Sequence, residues 1–554
     1  MDRIWLQSYP PGVPADVDPS ELRTLKELIE KTCSEHADRV AFIQMGSRLT
    51  YRQLDEQSRA FAAWLQQEGF GKGDRMAIML PNTLQYPIAM FGALRAGLTV
   101  VNTNPLYTAP ELEYQLRDSG AKVILVIENF AHIVQKVLPN TSLKRVLVTS
   151  AGEFLSFPKS WVVNYVVRHV RKQVPAWSIQ GAVPLKSAIA AGRGTPLSPV
   201  EVGPDDLAFL QYTGGTTGVA KGAMLSHGNV SINVLQAGAW IGKDFQNGGV
   251  LITAIPLYHI FALSGNCMMF ARLGWTNVLI INPRDLPAMI GEMRRHPCNY
   301  ISGVNTLFNA LLHAPGFDKI DFSGLKVTLG GGMAVQATVA QRWKEATGNR
   351  LTQAWGLTET SPAACINPPD VDFNGSIGLP ISSTEVAIKN DAGDDLAIGE
   401  IGEICVRGPQ VMKGYWNRPD ETAKVMLAGG WLRTGDVGRM DAKGFVYIED
   451  RKKDMILVSG FNVYPNEVEA AVVTHPGILE AAAVAQPDEH SGEVVALFVV
   501  RKDAKLSEKD VIEHARKSLA GYKVPKHIYF KSELPKTNVG KILRKALREE
   551  LSTR

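Results

Sequence analysis

The sequence predicts a large α/β protein with a mostly parallel sheet core, a smaller barrel-like antiparallel part and a mobile α+β domain at its C-terminal end. Three observations carry this reading. From Val40 to about Thr149, short apolar strand patterns alternate with amphipathic helical ones, which is the signature of βαβ units. After about Ile366 the texture changes to alternating strands with turns at Asp391, Gly408 and Asp441, which is antiparallel β. Finally, 554 residues exceed what one hydrophobic core serves.

Taken in order, Glu21–Glu30 has helical apolar spacing, and Val40–Ile43 and Met76–Leu80 are strands. A helix opens near Leu49 with Thr50 as its N-cap. Val123–Ile127 and Arg145–Thr149 continue the alternation. Residues 153–177 differ: Phe154, Phe157, Trp161, Tyr165 and Trp177 mix with Lys159, Arg168, Arg171 and Lys172, and no acid lies between Lys159 and Trp177. Such a segment lies either at a membrane surface or against its own domain with the basic side in water, and the pattern alone does not separate the two. Phe245–Ala271 lacks Asp, Glu, Lys and Arg, but Pro256, His259 and three glycines interrupt it. A buried strand followed by a buried helix is expected there, not a membrane span.

Val327–Met333 is a strand ending in glycines, and Leu351–Thr360 follows the same plan. Ligands of open α/β sheets gather beyond such strand ends. The charged cluster Glu449–Asp454 then marks a boundary. An N-terminal domain is expected over 1–450, its barrel-like part over about 366–450, and a C-terminal domain over 451–554. Ser507 with Asp510 begins a capped helix in the latter.

Composition narrows the function classes. With 45% hydrophobic and 21% charged residues, disorder and coiled coil fit poorly. A net charge of +4 gives no case for nucleic-acid binding. Five scattered cysteines without a CxxC pair point to a reducing compartment. The first residues lack the apolar run of a signal peptide, so a cytoplasmic location is expected.

The chemistry centres on Gln211–Gly222. Thr213–Gly222 holds four glycines, three threonines and Lys221, between an apolar strand at Asp206–Gln211 and a helical pattern from His227. A glycine-rich turn there offers backbone N–H groups, hydroxyls and a cation to a polyphosphate. It is no Walker A loop, because Ala220 precedes Lys221 and Gly222 follows it.

Together with Trp355–Thr360, Thr434-Gly435-Asp436 and the tail Pro535–Ile542, this loop closely resembles the adenylate-forming (AMP-binding) enzymes, along essentially the whole chain. The family loop usually carries serine and proline where this chain has Gly215 and Ala220. Pro256–Phe261, Gly430–Asp436 and Asp450–Pro465 are similar to the bacterial long-chain fatty acid–CoA ligase branch. The resemblance implies ATP-dependent activation of a long-chain fatty acid through an acyl-adenylate, with transfer to CoA. A medium-chain or aryl acid–CoA ligase is the alternative, and an inactive nucleotide-binding regulator is the alternative of another class.

The resemblance also implies site roles. Lys541 contacts the carboxylate and α-phosphate, and Glu359 and Thr213 contact Mg²⁺. Thr213, Gly214, Gly215, Thr216, Thr217, Gly218 and Lys221 cradle the phosphates. Gly331, Gly332, Met333, Trp355, Gly356 and Thr358 belong to the strand ends that flank adenine; the family usually has Tyr where Trp355 stands. Asp436 grips the ribose hydroxyls and Arg451 the ribose–phosphate. His259 lies beside the acyl pocket, as a positioning residue or, less favoured, a general base. Lys453 is the hinge about which the C-terminal domain swings Ser459 and Gly460 toward CoA. Residues 245–284 contain no Asp or Glu, so a cationic substrate would be desolvated unpaired there, whereas an alkyl chain suits the Ile, Leu, Phe and Met present. Peripheral contact of 153–177 with the cytoplasmic face of the membrane, and a homodimer, are among the associations the sequence allows.

Overall fold

The computed structural model describes residues 3–213, 220–242, 245, 248–459, 461–488, 490–537 and 540–552. Two large sheets build the N-terminal part. The first has seven strands in the spatial order 183–184, 145–149, 123–127, 75–79, 99–102, 207–213 and 221–226, parallel except for the last. The second has nine, with five consecutive parallel pairings running from 351–356 across to 40–44 and antiparallel strands at both margins. The helix Gln85–Arg95 is buried at every residue, as an element apolar all round must be.

Local signals account for several boundaries. Thr50 and Ser507 form capping boxes at the helices Tyr51–Gln67 and Glu508–Ala515. The expected helix at Glu21 instead starts at Leu25, because Thr24 accepts the Glu27 N–H and fixes the first turn. The apolar stretch after residue 245 folds as the strand Val250–Thr253 and a helical run from Ile260 to Arg272, which loosens into π-helix over Leu263–Met268.

A five-stranded antiparallel sheet occupies the stretch expected to be barrel-like. Its order is 385–389, 402–407, 431–440 and 426–427, with 446–451 also on 431–440. The bridge Gly378↔Val446 joins it to the nine-stranded sheet. The strand 446–451 runs into the charged cluster rather than stopping before it, and its register sets Arg451 opposite Asp436.

Beyond it, strands 461–463, 456–458, 492–501 and 478–488 with 527–531 form a separate sheet, packed by helices and holding its own apolar core. Asp454, at the entrance to this unit, accepts Arg548 at 2.8 Å and lies 3.7 Å from Arg544, both on the helix Arg544–Ser552.

The segment Lys159–Val170 is helical and none of its residues is buried. Phe157 is 87% exposed and Trp161 65%, with Trp161 stacked on Tyr165 at 5.4 Å. Lys159 donates to the Met45 carbonyl and Arg168 pairs with Glu128, while Arg171 and Lys172 stand exposed. Among the described residues no helix is long and apolar enough to cross a membrane.

Candidate active site

A cavity of about 1150 Å³ opens where the ends of both large sheets, the antiparallel sheet and the C-terminal unit meet. It exceeds the size usual for one small ligand. One wall is the hairpin 207–213/221–226, a strand pairing not foreseen after the loop. Thr213 pairs with Lys221, and the Thr213 hydroxyl lies 3.4 Å from the Lys221 carbonyl, so the ladder holds these two residues side by side. Gly214, Gly215, Thr216, Thr217 and Gly218 lie outside the described residues.

The parallel strands 327–330 and 351–356 deliver the next wall. Gly331, Gly332, Trp355, Gly356, Thr358 and Glu359 line the cavity, whereas Met333 is partly exposed and lies outside the lining. Gly332 has φ +78°, and a Cβ there would meet the Lys541 side chain at 3.2 Å. A Cβ on Gly356 would lie 1.8 Å from the Pro362 carbonyl oxygen, so no side chain fits. Glu359 accepts the Tyr415 hydroxyl at 2.7 Å.

Asp436 is 2% exposed and both its oxygens are engaged. The Trp355 indole N–H donates to Oδ2 at 2.9 Å, and the Arg451 guanidinium pairs with Oδ1 at 2.9 Å. Trp355 thus does more than present a flat ring, since its nitrogen fixes the carboxylate.

Lys541 reaches this cluster from the tail. Its carbonyl accepts the Thr537 N–H at 2.7 Å and its own N–H donates to the Thr537 hydroxyl, while the Gly540 carbonyl accepts the Thr306 hydroxyl at 3.0 Å. Gly540 is thereby fastened to the N-terminal part. Withdrawal from water, and then the Arg451 charge, push the Lys541 ammonium down to about 8 against the opposing pull of Asp436 and Glu359.

His259 faces the cavity. Its Nδ1 accepts the Phe261 N–H at 3.3 Å, and burial together with the Lys541 charge pushes it down to about 3. With Nδ1 accepting, the proton of the neutral ring sits on Nε2, where it can donate. The apolar side chains Trp240, Phe261, Met269, Val327, Leu329 and Ile366 line the same cavity, together with the small residues Gly265 and Ala354. Lys453 is also in the cavity lining. Ser459 sits at a tight turn with φ +50° and is not in the lining, and Gly460 lies outside the described residues.

Sequence reasoning missed Tyr415 and Glu421. Lys221 pairs with Glu421 and lies 5.0 Å from the Tyr415 ring centroid. The one available signal was the aromatic pair Tyr415-Trp416 in a turn-rich stretch.

The fold and these strand-end motifs define a nucleotide-activating class, and the family match agrees: the chain belongs to the AMP-binding enzymes. The AMP-binding enzyme model matches residues 29–416 and the AMP-binding enzyme C-terminal domain matches 467–541. Among curated proteins, it is 51% identical to the long-chain-fatty-acid–CoA ligase of Escherichia coli O157:H7 (99% of this chain, 98% of the other) and 38% identical to that of Bacillus subtilis strain 168 over the same shares. Among solved structures, the anthranilate CoA ligase AuaEII in complex with anthranoyl-AMP matches with TM-score 0.86 at 25% identity, covering 97% and 99% of the two chains. ATP-bound MatB from Rhodopseudomonas palustris matches with TM-score 0.81 at 28% identity, covering 95% and 98%.

Trp355→Phe keeps an aromatic face and removes the donor to a buried carboxylate, a loss of roughly 1–3 kcal/mol. AMP affinity measured by calorimetry is expected to fall by about 10-fold, and an unchanged value would count against the clasp on Asp436.

Proposed function

We propose that the chain converts long-chain fatty acids to CoA thioesters in two steps at this cavity. ATP and the carboxylate give an acyl-adenylate and pyrophosphate, and the CoA thiol then displaces AMP. The observation that carries the reading is one cavity lined both by Lys541, Lys221 and Glu359 and by the apolar side chains Trp240, Phe261, Met269, Leu329 and Ile366. The similar Escherichia coli and Bacillus subtilis proteins are long-chain-fatty-acid–CoA ligases.

The residues suit the chemistry. A carboxylate approaching a phosphate brings negative charge onto negative charge, and Lys541 is the cation that meets both. Held at about 8, it stays mostly protonated at neutral pH. His259 orients the acyl carboxylate through Nε2–H and takes no proton. Asp436 holds the ribose, positioned by Trp355 and Arg451. Each methylene sheltered among these apolar side chains contributes about 0.8 kcal/mol, so selection by chain length is gradual.

Glu359 and Thr213 offer one carboxylate and one hydroxyl oxygen, the small hard donor set that suits Mg²⁺ shared with phosphates. The ion would supply charge neutralisation there. CoA enters for the second step, when Lys541 withdraws and the Ser459 turn replaces it. The domain boundary at 450–454, with Lys453 as hinge, allows this exchange.

The exposed aromatic stripe on 157–170 together with Arg171 and Lys172 suits the anionic cytoplasmic leaflet, where lipid substrates partition. This reading draws support from the unburied apolar side chains, which the alternative of packing against the domain would cover.

Three measurements test these assignments. With ATP, Mg²⁺ and CoA, turnover should rise from short to long acids, and a preference for aryl or short acids would overturn the substrate class. Adenylate formation should decline as pH rises through about 8, where the ammonium loses its proton, and Lys541→Arg should remove that decline while Lys541→Ala loses roughly 10²–10³-fold. Lys453→Pro should preserve adenylate formation and abolish thioester formation; equal loss of both steps would remove the hinge. Separately, flotation with phosphatidylglycerol vesicles should recover the parent protein and much less of Trp161→Ala/Tyr165→Ala, and equal recovery would exclude this face as the contact.

A further inference from the structure

The cavity lining holds a carboxylate that the two-step reaction does not use. Glu421 stands in the first turn of the helix Pro419–Val425. One of its oxygens pairs with Lys221 and the other with Lys424. Lys221 rests at the same time over the Tyr415 ring, whose hydroxyl donates to Glu359 at 2.7 Å. Tyr415 therefore stands between the lysine and Glu359, with its face toward one and its hydroxyl on the other. All of these side chains line the cavity.

The Lys221 pair is partly solvated, with the lysine side chain 31% exposed and the glutamate 23%. Pairs of that kind are weak and readily exchanged. A polyphosphate offers the same ammonium several charged oxygens where Glu421 offers one. The two lysines pull the Glu421 carboxyl down to about 2, so the competitor is charged throughout the neutral range.

We propose that Glu421 is a displaceable counter-ion of Lys221. It holds the lysine against Tyr415 before ATP binds, yields it to the β- and γ-phosphates, and recaptures it as pyrophosphate leaves. The inference rests on reading Lys221 as a phosphate ligand. Glu421 acts through Lys221 and is a positioning residue: it lowers the affinity for ATP and for pyrophosphate together, which favours product release.

The test compares the full-length parent with Glu421→Gln, Glu421→Asp, Lys221→Ala and the Lys221→Ala/Glu421→Gln pair, in pyrophosphate-release assays with palmitate. Glu421→Gln should lower the KM for ATP and the inhibition constant of pyrophosphate each by about three-fold without raising kcat. Glu421→Asp, which restores the charge, should return both toward the parent values. Lys221→Ala should raise the KM for ATP, and adding Glu421→Gln to it should change nothing further. Unchanged constants in Glu421→Gln, or a shift that persists without Lys221, would overturn the counter-ion role and leave the phosphate role intact. An unchanged KM in Lys221→Ala would overturn the phosphate role itself, and the inference with it.

Discussion

Asp436 joins two separately built sheets at the place where the chain enters the C-terminal unit. Its strand and the neighbouring one, which ends at Arg451 and leads into the C-terminal unit, belong to the antiparallel sheet, while Trp355 stands one residue before the end of a strand of the nine-stranded sheet. A carboxylate only 2% exposed would be costly to leave unpaired, so the Trp355 and Arg451 contacts are required and not ornamental. They fix the relative placement of the sheets at the cavity wall. They also put the Arg451 charge near Lys541, where it joins desolvation in lowering that ammonium.

The cavity is arranged by charge along its length. At one end Lys221, Arg451 and Lys541 each have a carboxylate within their surroundings, so the anionic substrate enters a field that is balanced before it arrives. At the other end the helical run from Ile260 to Arg272 turns apolar and small side chains inward. Its π-helical part, Leu263–Met268, is an irregularity that often accompanies functional sites. His259 lies at the junction, neutral because it faces both burial and a lysine.

Much of this was legible because local chemistry decides it. The strands 123–127 and 145–149 are apolar runs between helical patterns, and Thr50 and Ser507 cap helices as short hydroxyl residues do. The hairpin strand Lys221–Ser226 was not legible: it has few apolar residues, and its pairing with 207–213 is a tertiary fact. The Trp355–Asp436 contact spans 81 residues of sequence and Tyr415–Glu359 spans 56, so neither leaves a local pattern. Motif order named strand-end residues that line the cavity, among them Gly331, Gly332, Trp355, Gly356 and Thr358, and also Met333 and Asp436, which lie outside the lining.

The C-terminal helix gives the structure a mechanical property. Asp454 lies beside Lys453 and is gripped by Arg548, with Arg544 close by, and that helix begins three residues after Lys541. If Lys453 is the hinge as proposed, the pivot and the lysine it would move are cross-braced, like a crank keyed to its shaft. A small turn of the backbone at 452–454 would be transmitted to the ammonium without backlash, while the Thr306 contact to Gly540 serves as the detent that must release first.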